Sequence, residues 1–291
     1  MESGIDKIMP ENAKGMFTIK SLVIHKVTFR FLFKYLLKRA VTKIEDWFFR
    51  PVRITVNTVF VVGCGHSGTT LLAAKLGRHN DILSIGKESN LFLPYKNSLY
   101  MSSRILAEWQ DFALSDKKQC VLEKTPKHLY CVDRISKVAP DHKMVAMIRN
   151  PLDTVSSLNK RFHDLDLCID RWINDNNQVL ALAEKEQVLV VRFEDLTMSP
   201  EKVFGEVCRF AGLSYDPAIL DAGETAYLDN ETTSSNMRVR SRQVSRKITQ
   251  NIDGWKASLS EDQARYVIQR TRVVAEQLGY ALRDEPGGPL G

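Results

Sequence analysis

A short apolar run that ends in a glycine-rich turn is the sequence feature that most restricts the fold. Residues 58–63 (TVFVVG) form the run, and residues 63–70 (GCGHSGTT) lead from it into a helix-forming segment. A strand, a glycine turn and a helix start expose backbone N–H groups where an anion can bind. The spacing is that of a GxxxxG phosphate-binding loop, with Thr69 in place of the usual lysine. The loop is therefore predicted to bind an anion other than a nucleoside triphosphate; a plain glycine turn is the alternative.

The rest of the chain repeats the alternation of strand and helix. Further apolar runs lie at 120–123, 144–148 and 188–192. Helical patterns lie at 69–79, 126–139, 151–163, 169–185, 200–211 and 260–278. Short apolar runs between helices are typical of buried parallel strands, so we predict an α/β fold. Its form is a P-loop-like three-layer sandwich with a central, mostly parallel sheet, and with loops at 88–118 and 220–250.

Composition describes an ordinary globular protein with a basic N-terminal segment. The 291 residues are 44% hydrophobic and 26% charged, which excludes a disordered or fibrous chain. The net charge of +6 comes from residues 1–53, which hold 11 basic and 5 acidic residues. The remainder is balanced, so we predict no nucleic-acid partner. We expect two parts, an N-terminal tail with a basic amphipathic helix at 1–55 and the main domain at 56–291.

The N-terminal helical pattern spans residues 17–49 and mixes apolar residues with Lys and Arg. These charges interrupt every apolar stretch long enough to cross a membrane, so no transmembrane segment is predicted. The apolar side can pack on the domain, join two subunits in a homodimer, or make peripheral contact with an anionic membrane. Packing or dimer contact is the favoured interpretation.

The five cysteines are odd in number, widely spaced and lack a CxxC pair. This pattern argues against a zinc site and against a disulfide framework. It favours a reducing compartment, and we predict a cytoplasmic location.

A second anion-binding signal lies in residues 149–157 (RNPLDTVSS). Arg149 follows a predicted strand, at the sheet edge where open α/β folds bind ligands. Asn150 is a good cap for the following helix. Ser157 and Arg161 lie one helical turn apart on the same face, and hydroxyls beside a guanidinium suit a dianionic phosphate. A structural arginine at a helix start is the alternative.

Together these segments resemble the sulfotransferases that use 3′-phosphoadenosine 5′-phosphosulfate (PAPS), in particular the bacterial and tyrosylprotein-type members. Residues 67–70 (SGTT) resemble the family's [RK]SGTT loop, and Arg149 precedes Ser157 by the family's spacing. Residues 123–127 (EKTPK) resemble its EKTP segment, and residues 191–196 (VRFEDL) its RYEDL segment. The resemblance extends from about residue 57 to 280.

The resemblance implies a role for each matching residue. The 5′-phosphosulfate would be held by Gly65, His66, Ser67, Gly68, Thr69 and Thr70. The 3′-phosphate would be held by Arg149 and Ser157, with Arg161 close by. Lys124 would reach the transferred sulfonate, and Glu88 would act as the base. The segment that closes over the nucleotide would include Arg238, Arg240, Arg242, Ser245, Arg246 and Lys247, although a solvated basic loop is an equal alternative for it.

Two positions depart from the family pattern. His66 replaces the Arg or Lys of the loop, and Phe193 replaces a Tyr. We therefore expect His66 to supply the missing charge as a cation in the donor complex. The implied activity is transfer of a sulfonate from PAPS to a hydroxyl or amine of a small-molecule, carbohydrate or peptide acceptor, leaving 3′-phosphoadenosine 5′-phosphate (PAP) and requiring no metal. The alternatives are a P-loop nucleotide kinase-like enzyme and a catalytically inactive nucleotide- or anion-binding protein.

Overall fold

The structure is a computed structural model that describes residues 29–54, 56–221 and 252–282. Its strands are β1 (Asn57–Gly63), β2 (Ile82–Ser84), β3 (Cys120–Lys124), β4 (Lys143–Ile148) and β5 (Val188–Arg192). They form one sheet of five parallel strands in the order β2-β3-β1-β4-β5. β1 is the central strand, so the glycine-rich loop that follows it lies in the middle of one sheet edge.

Helices cover both faces of this sheet. They are α1 (Phe29–Phe48), α2 (Thr69–Leu76), α3 (Leu99–Ser115), α4 (Val132–Val138), α5 (Pro151–Phe162), α6 (Leu165–Leu182), α7 (Phe193–Met198), α8 (Pro200–Phe210) and α9 (Glu261–Gln277). Short 3₁₀ helices lie at Pro126–Tyr130, Pro217–Leu220 and Gly254–Ala257. No helix in the described part of the chain combines the length and apolar character that a membrane span requires.

The three layers follow from the two-residue period of the strands. In β1, Phe60 and Val62 belong to one hydrophobic cluster, with residues of α3, α4, α5, α6 and α9. Val59 and Val61 point the other way into a second cluster, with residues of α2, α7 and α8. Because both faces are buried, residues 59–62 of β1 and 144–148 of β4 are continuously apolar, and the predicted α/β three-layer fold is confirmed.

The prediction of a loop over 88–118 was wrong, because α3 occupies much of that range. Ser98 caps α3, and its Oγ accepts a hydrogen bond of 3.1 Å from the backbone N–H of Met101. The buried side of α3 includes Ser102, Ser103 and Ala113, small residues that produce a weak apolar period. The helix predicted over 126–139 is also divided, into the 3₁₀ helix Pro126–Tyr130 and α4.

Candidate active site

The residues that the sequence singled out converge at the carboxyl edge of the sheet. The glycine-rich loop 63–70 follows β1, Glu88 follows β2, Lys124 ends β3 and Arg149 follows β4. In open α/β sheets this edge is where ligands bind. The sequence order of the strands differs from their order in the sheet, so residues far apart in the chain become neighbours here.

The glycine-rich loop leaves the start of α2 open to an anion. Gly68 is the N-cap of α2, has a φ of 95°, and places no capping side chain over the first-turn N–H groups. The left-handed conformation suits glycine, and a Cβ atom at Gly68 would collide with the ring of Phe193. Ser67 is buried, and its hydroxyl lies 2.6 Å from the carbonyl oxygen of Cys64 and 3.1 Å from that of Met147. The Ser67 side chain therefore braces the loop from beneath.

His66 joins the loop to the second predicted anion site. Its Nδ1 lies 2.7 Å from Oγ of Ser157 on α5, and its backbone φ is 71°. A positive φ is uncommon for a residue other than glycine and indicates a tightly specified turn. The contact brings the two segments that the sequence assigned to the 5′ and 3′ ends of one nucleotide side by side.

Arg149 is held in place from several sides. Its Nη2 lies 3.8 Å from Oδ2 of Asp153, one helical turn along α5. Its guanidinium carbon lies 4.2 Å from the ring centroid of Phe193, a cation–π distance. Burial lowers the pKa of Arg149, while Asp153 opposes that effect. The ring of Phe193 therefore packs against the guanidinium. This contact does not need the hydroxyl that the family's Tyr would carry at this position.

The structure confirms the predicted role of Asn150 as a helix cap. Its Oδ1 accepts a hydrogen bond of 2.8 Å from the backbone N–H of Leu152 at the start of α5. Asp153 then accepts hydrogen bonds of 3.1 Å from the backbone N–H groups of Asp253 and Trp255. These bonds fasten the segment 252–258 beside Arg149. The predicted nucleotide-closing residues Ser245, Arg246 and Lys247, and the arginines at 238, 240 and 242, lie outside the described residues.

Glu88 and Lys124 form a close ion pair next to the loop. Oε1 of Glu88 lies 2.6 Å from Nζ of Lys124. The Lys124 side chain is 1% exposed and that of Glu88 is 42% exposed. A fixed cation and an accessible carboxylate thus occupy one end of the site. Arg161 lies at the far end of α5, where its guanidinium carbon is 5.4 Å from the ring centroid of Phe162.

A buried network around Glu123 fixes the segment that carries Glu88. Glu123 Oε1 accepts hydrogen bonds of 2.6 Å from the hydroxyls of Ser89 and Thr125, and Oε2 lies 2.9 Å from Nδ1 of His128. Burial by itself raises the pKa of Glu123, but His128 and the hydroxyl donors outweigh burial and lower it. Glu123 is thus a charged anchor beside the Glu88–Lys124 pair, a role that the sequence analysis missed.

Arg171 on α6 is a second residue that the sequence analysis did not identify. Its guanidinium lies against the loop, because a Cβ atom added to Gly65 would be only 2.7 Å from Nη2 of Arg171. The only local signal is the spacing of Arg171 and Asp175, one helical turn apart. No sequence pattern could have indicated that a side chain of this helix lies against the loop.

Fold and site define a P-loop-like α/β protein whose glycine-rich loop lies at the same sheet edge as Lys124 and Arg149. The sulfotransferase family model matches residues 98–217. The nodulation protein NoeE of Sinorhizobium fredii (strain NBRC 101917 / NGR234) is 23% identical over 78% of this chain and 65% of its own. Protein-tyrosine sulfotransferase 1 of Danio rerio is 24% identical over 56% of this chain and 55% of its own. The chain thus spans less than two thirds of either curated relative.

Solved structures agree on the fold. The sulfotransferase domain of the Synechococcus PCC 7002 olefin synthase superposes with a TM-score of 0.56 at 19% identity, over 81% of this chain and 99% of that domain. A mouse sulfotransferase complexed with PAP superposes with a TM-score of 0.52 at 15% identity, over 79% of this chain and 90% of its own. The family model and both of these structures are those of sulfotransferases, so the chain is similar to the sulfotransferase family in part of its sequence and in its fold.

Proposed function

We propose that the protein transfers a sulfonate group from PAPS to a hydroxyl or amine of an acceptor molecule. The observation that carries the proposal is the Glu88–Lys124 pair, 2.6 Å apart, at the same sheet edge as the glycine-rich loop. Anion binding alone has no use for a base beside a cation, whereas sulfonate transfer needs both. The mouse relative complexed with PAP supports the choice of nucleotide.

The described residues fit this donor. The open N-terminus of α2 and the glycine backbone at 65 and 68 suit the 5′-phosphosulfate. Arg149 and Ser157 suit the 3′-phosphate, with Arg161 near, and His66 lies between the two sites. Thr69 and Thr70 begin α2 and add hydroxyls beside the loop.

The chemistry is an in-line displacement at sulfur. A new bond forms between the acceptor oxygen and sulfur while the bond between sulfur and the 5′-phosphate oxygen breaks, which releases PAP. Glu88 takes the acceptor proton as the new bond forms. Lys124 stabilises the negative charge on the sulfonate and the departing oxygen, and His66 as a cation adds to that stabilisation. The contribution of the protein is positioning and electrostatics, as in phosphoryl transfer.

The experiment that tests this function is calorimetric titration with PAP and with ATP, followed by assay of PAP release from PAPS with a library of small-molecule, carbohydrate and peptide acceptors. We expect PAP to bind more tightly than ATP and at least one acceptor to turn over. Preference for ATP would favour the kinase-like alternative, against which Thr69 already argues, because a kinase-type loop carries a lysine there. Tight PAP binding without turnover would favour the inactive nucleotide-binding alternative.

We further propose two features of the protein's setting. The five cysteines are buried with free thiols, which supports a reducing, cytoplasmic environment. The outer face of α1 exposes large apolar side chains flanked by lysine and arginine, which supports peripheral contact with an anionic membrane surface.

A further inference from the structure

The guanidinium of Arg171 occupies the space beside Gly65 in the glycine-rich loop. A Cβ atom at Gly65 would lie 2.7 Å from Nη2 and 3.3 Å from Cζ of Arg171. Position 65 therefore tolerates no side chain while Arg171 is in place. The absence of a side chain at Gly65 lets a cation from α6 approach the backbone that binds the anion.

Asp175 and Tyr130 hold Arg171 in this position. Nε of Arg171 lies 3.5 Å from Oδ2 of Asp175, and the hydroxyl of Tyr130 donates a hydrogen bond of 2.7 Å to Oδ1 of Asp175. Burial by itself lowers the pKa of Arg171, but Asp175 more than offsets it and raises the pKa above its ordinary value. The guanidinium is therefore charged, and the ion pair presents its positive end to the loop.

Two other cations, Arg161 and Lys127, lie near Arg171. The guanidinium carbons of Arg161 and Arg171 lie 5.4 Å and 5.7 Å from the ring centroid of Phe162. Burial and the charge of Arg171 both lower the pKa of Lys127, which lies just past β3. The Arg171 side chain is still 28% exposed, so it is not sealed inside the fold.

We propose that Arg171 supplies the positive charge next to the 5′-phosphosulfate, at the loop whose first position carries His66 rather than arginine or lysine. The inference rests on the proposed function, because it concerns the same donor site. His66 alone is a weak substitute, since its Nδ1 is engaged with Ser157 and an imidazole loses its charge as the pH rises. A guanidinium keeps its charge at every physiological pH.

The test compares PAP with adenosine 3′-monophosphate, which lacks the 5′-phosphate, by calorimetric titration. Arg171→Gln is expected to weaken PAP binding about tenfold or more, because a charge next to a phosphate is lost. The affinity for adenosine 3′-monophosphate should change less than about twofold. Arg270→Gln is the matched control, because Arg270 on α9 forms exposed ion pairs with Asp166 and Asp170. It should change neither affinity.

Asp175→Asn separates electrostatic action from mere support of the loop. This variant removes the negative charge beside Arg171 but keeps an amide oxygen that can accept a hydrogen bond from the guanidinium, so PAP should bind as tightly as to the wild type or more tightly. Equal losses in Arg171→Gln and Asp175→Asn would overturn the proposal, as would unchanged PAP affinity in Arg171→Gln. His66→Arg added to Arg171→Gln should restore PAP binding. Failure of the wild type to bind PAP would contradict the proposed function itself. If the wild type and Arg171→Gln bind PAP equally well, only the role of Arg171 is contradicted.

Discussion

Nζ of Lys124, the last residue of β3, lies 2.6 Å from Oε1 of Glu88, which follows β2. Lys124 is almost completely buried and Glu88 is accessible. The carboxylate is therefore accessible from solvent, while the cation is held in the protein interior. The Glu123 network holds the same segment through Ser89, so the geometry of the pair does not depend on the ion pair alone.

Glu88→Gln is expected to lower turnover at least about a hundredfold, because the amide keeps the shape and loses the basicity. PAP binding should stay within a few-fold of the wild type. Steady-state rates and calorimetry measure the two effects. Glu108→Gln on α3 is the control, since Glu108 is an exposed glutamate away from the pair. Near-normal turnover in Glu88→Gln would assign the base to another residue, with His163 and Asp164 as the next candidates.

Arg149→Gln is expected to weaken PAP binding on the order of thirtyfold, as a charge-assisted contact to phosphate is lost. Adenosine 5′-monophosphate lacks the 3′-phosphate, so its affinity should change little. Ser157→Ala should weaken PAP binding less, about fivefold, because a hydroxyl is a neutral donor. Equal losses for both nucleotides would instead indicate that Arg149 supports the fold through Asp153 and Phe193.

His66 gives a pH-dependent prediction. The imidazole lies between the two proposed phosphate sites, and adjacent phosphates would favour its protonated form. Turnover should therefore fall as the pH rises through the imidazole titration. His66→Arg should flatten that limb of the pH–rate profile and retain activity. An inactive arginine variant with unchanged PAP affinity would show that His66 acts through its bond to Ser157 instead.

Much of this site follows from local sequence. The loop, the cap at Asn150 and the helix after it are specified by neighbouring residues, and the structure places them as expected. The family resemblance singled out Glu88 and Lys124 separately, and the structure shows that they form a pair.

What local sequence could not give depends on packing between distant segments. α3 buries small residues, so the apolar periodicity that would indicate a helix in its sequence is weak. Arg171 reaches Gly65 because α6 packs next to the loop, and no spacing within either segment encodes that contact. The Glu123 network likewise joins three segments, through Ser89, Thr125 and His128.

Glu123→Gln is expected to destabilise the fold by about 2–4 kcal/mol, because the amide cannot accept hydrogen bonds from all of the buried donors. Since the pKa of Glu123 is lowered on folding, its stabilising effect is complete above the pKa of an unfolded glutamate and is lost as the pH falls through the folded value. The difference between wild type and variant should thus shrink below about pH 4. Denaturant unfolding at several pH values measures it.

Glu276→Gln is the control for that experiment. Glu276 lies in an exposed pair with Arg272, so the substitution should change stability by less than about 0.5 kcal/mol at every pH. A Glu123→Gln variant as stable as the wild type at neutral pH would contradict the role of the network as an anchor.

The exposed face of α1 gives the last prediction. The inner side of the helix packs on the domain, where the Thr42 hydroxyl donates a 3.0 Å hydrogen bond to the carbonyl of Pro94. This supports the packing interpretation for that side. The outer side exposes Trp47, at 86%, together with Phe33, Leu37, Ile44 and Phe48. Lys38, Lys43, Arg50 and Arg53 are exposed around it.

An anionic bilayer fits this face better than a second copy of the chain, because a symmetric contact would bring these cations together. The full-length protein should co-sediment with vesicles of phosphatidylcholine and phosphatidylserine, and less with phosphatidylcholine alone. Trp47→Ser combined with Phe48→Ser should reduce vesicle binding about tenfold or more, since two aromatic anchors are lost. Phe112→Ser on α3, 61% exposed in the wild type, is the matched control and should bind normally. The face would instead be assigned to self-association if the wild type does not bind vesicles and forms a concentration-dependent dimer that the double variant abolishes.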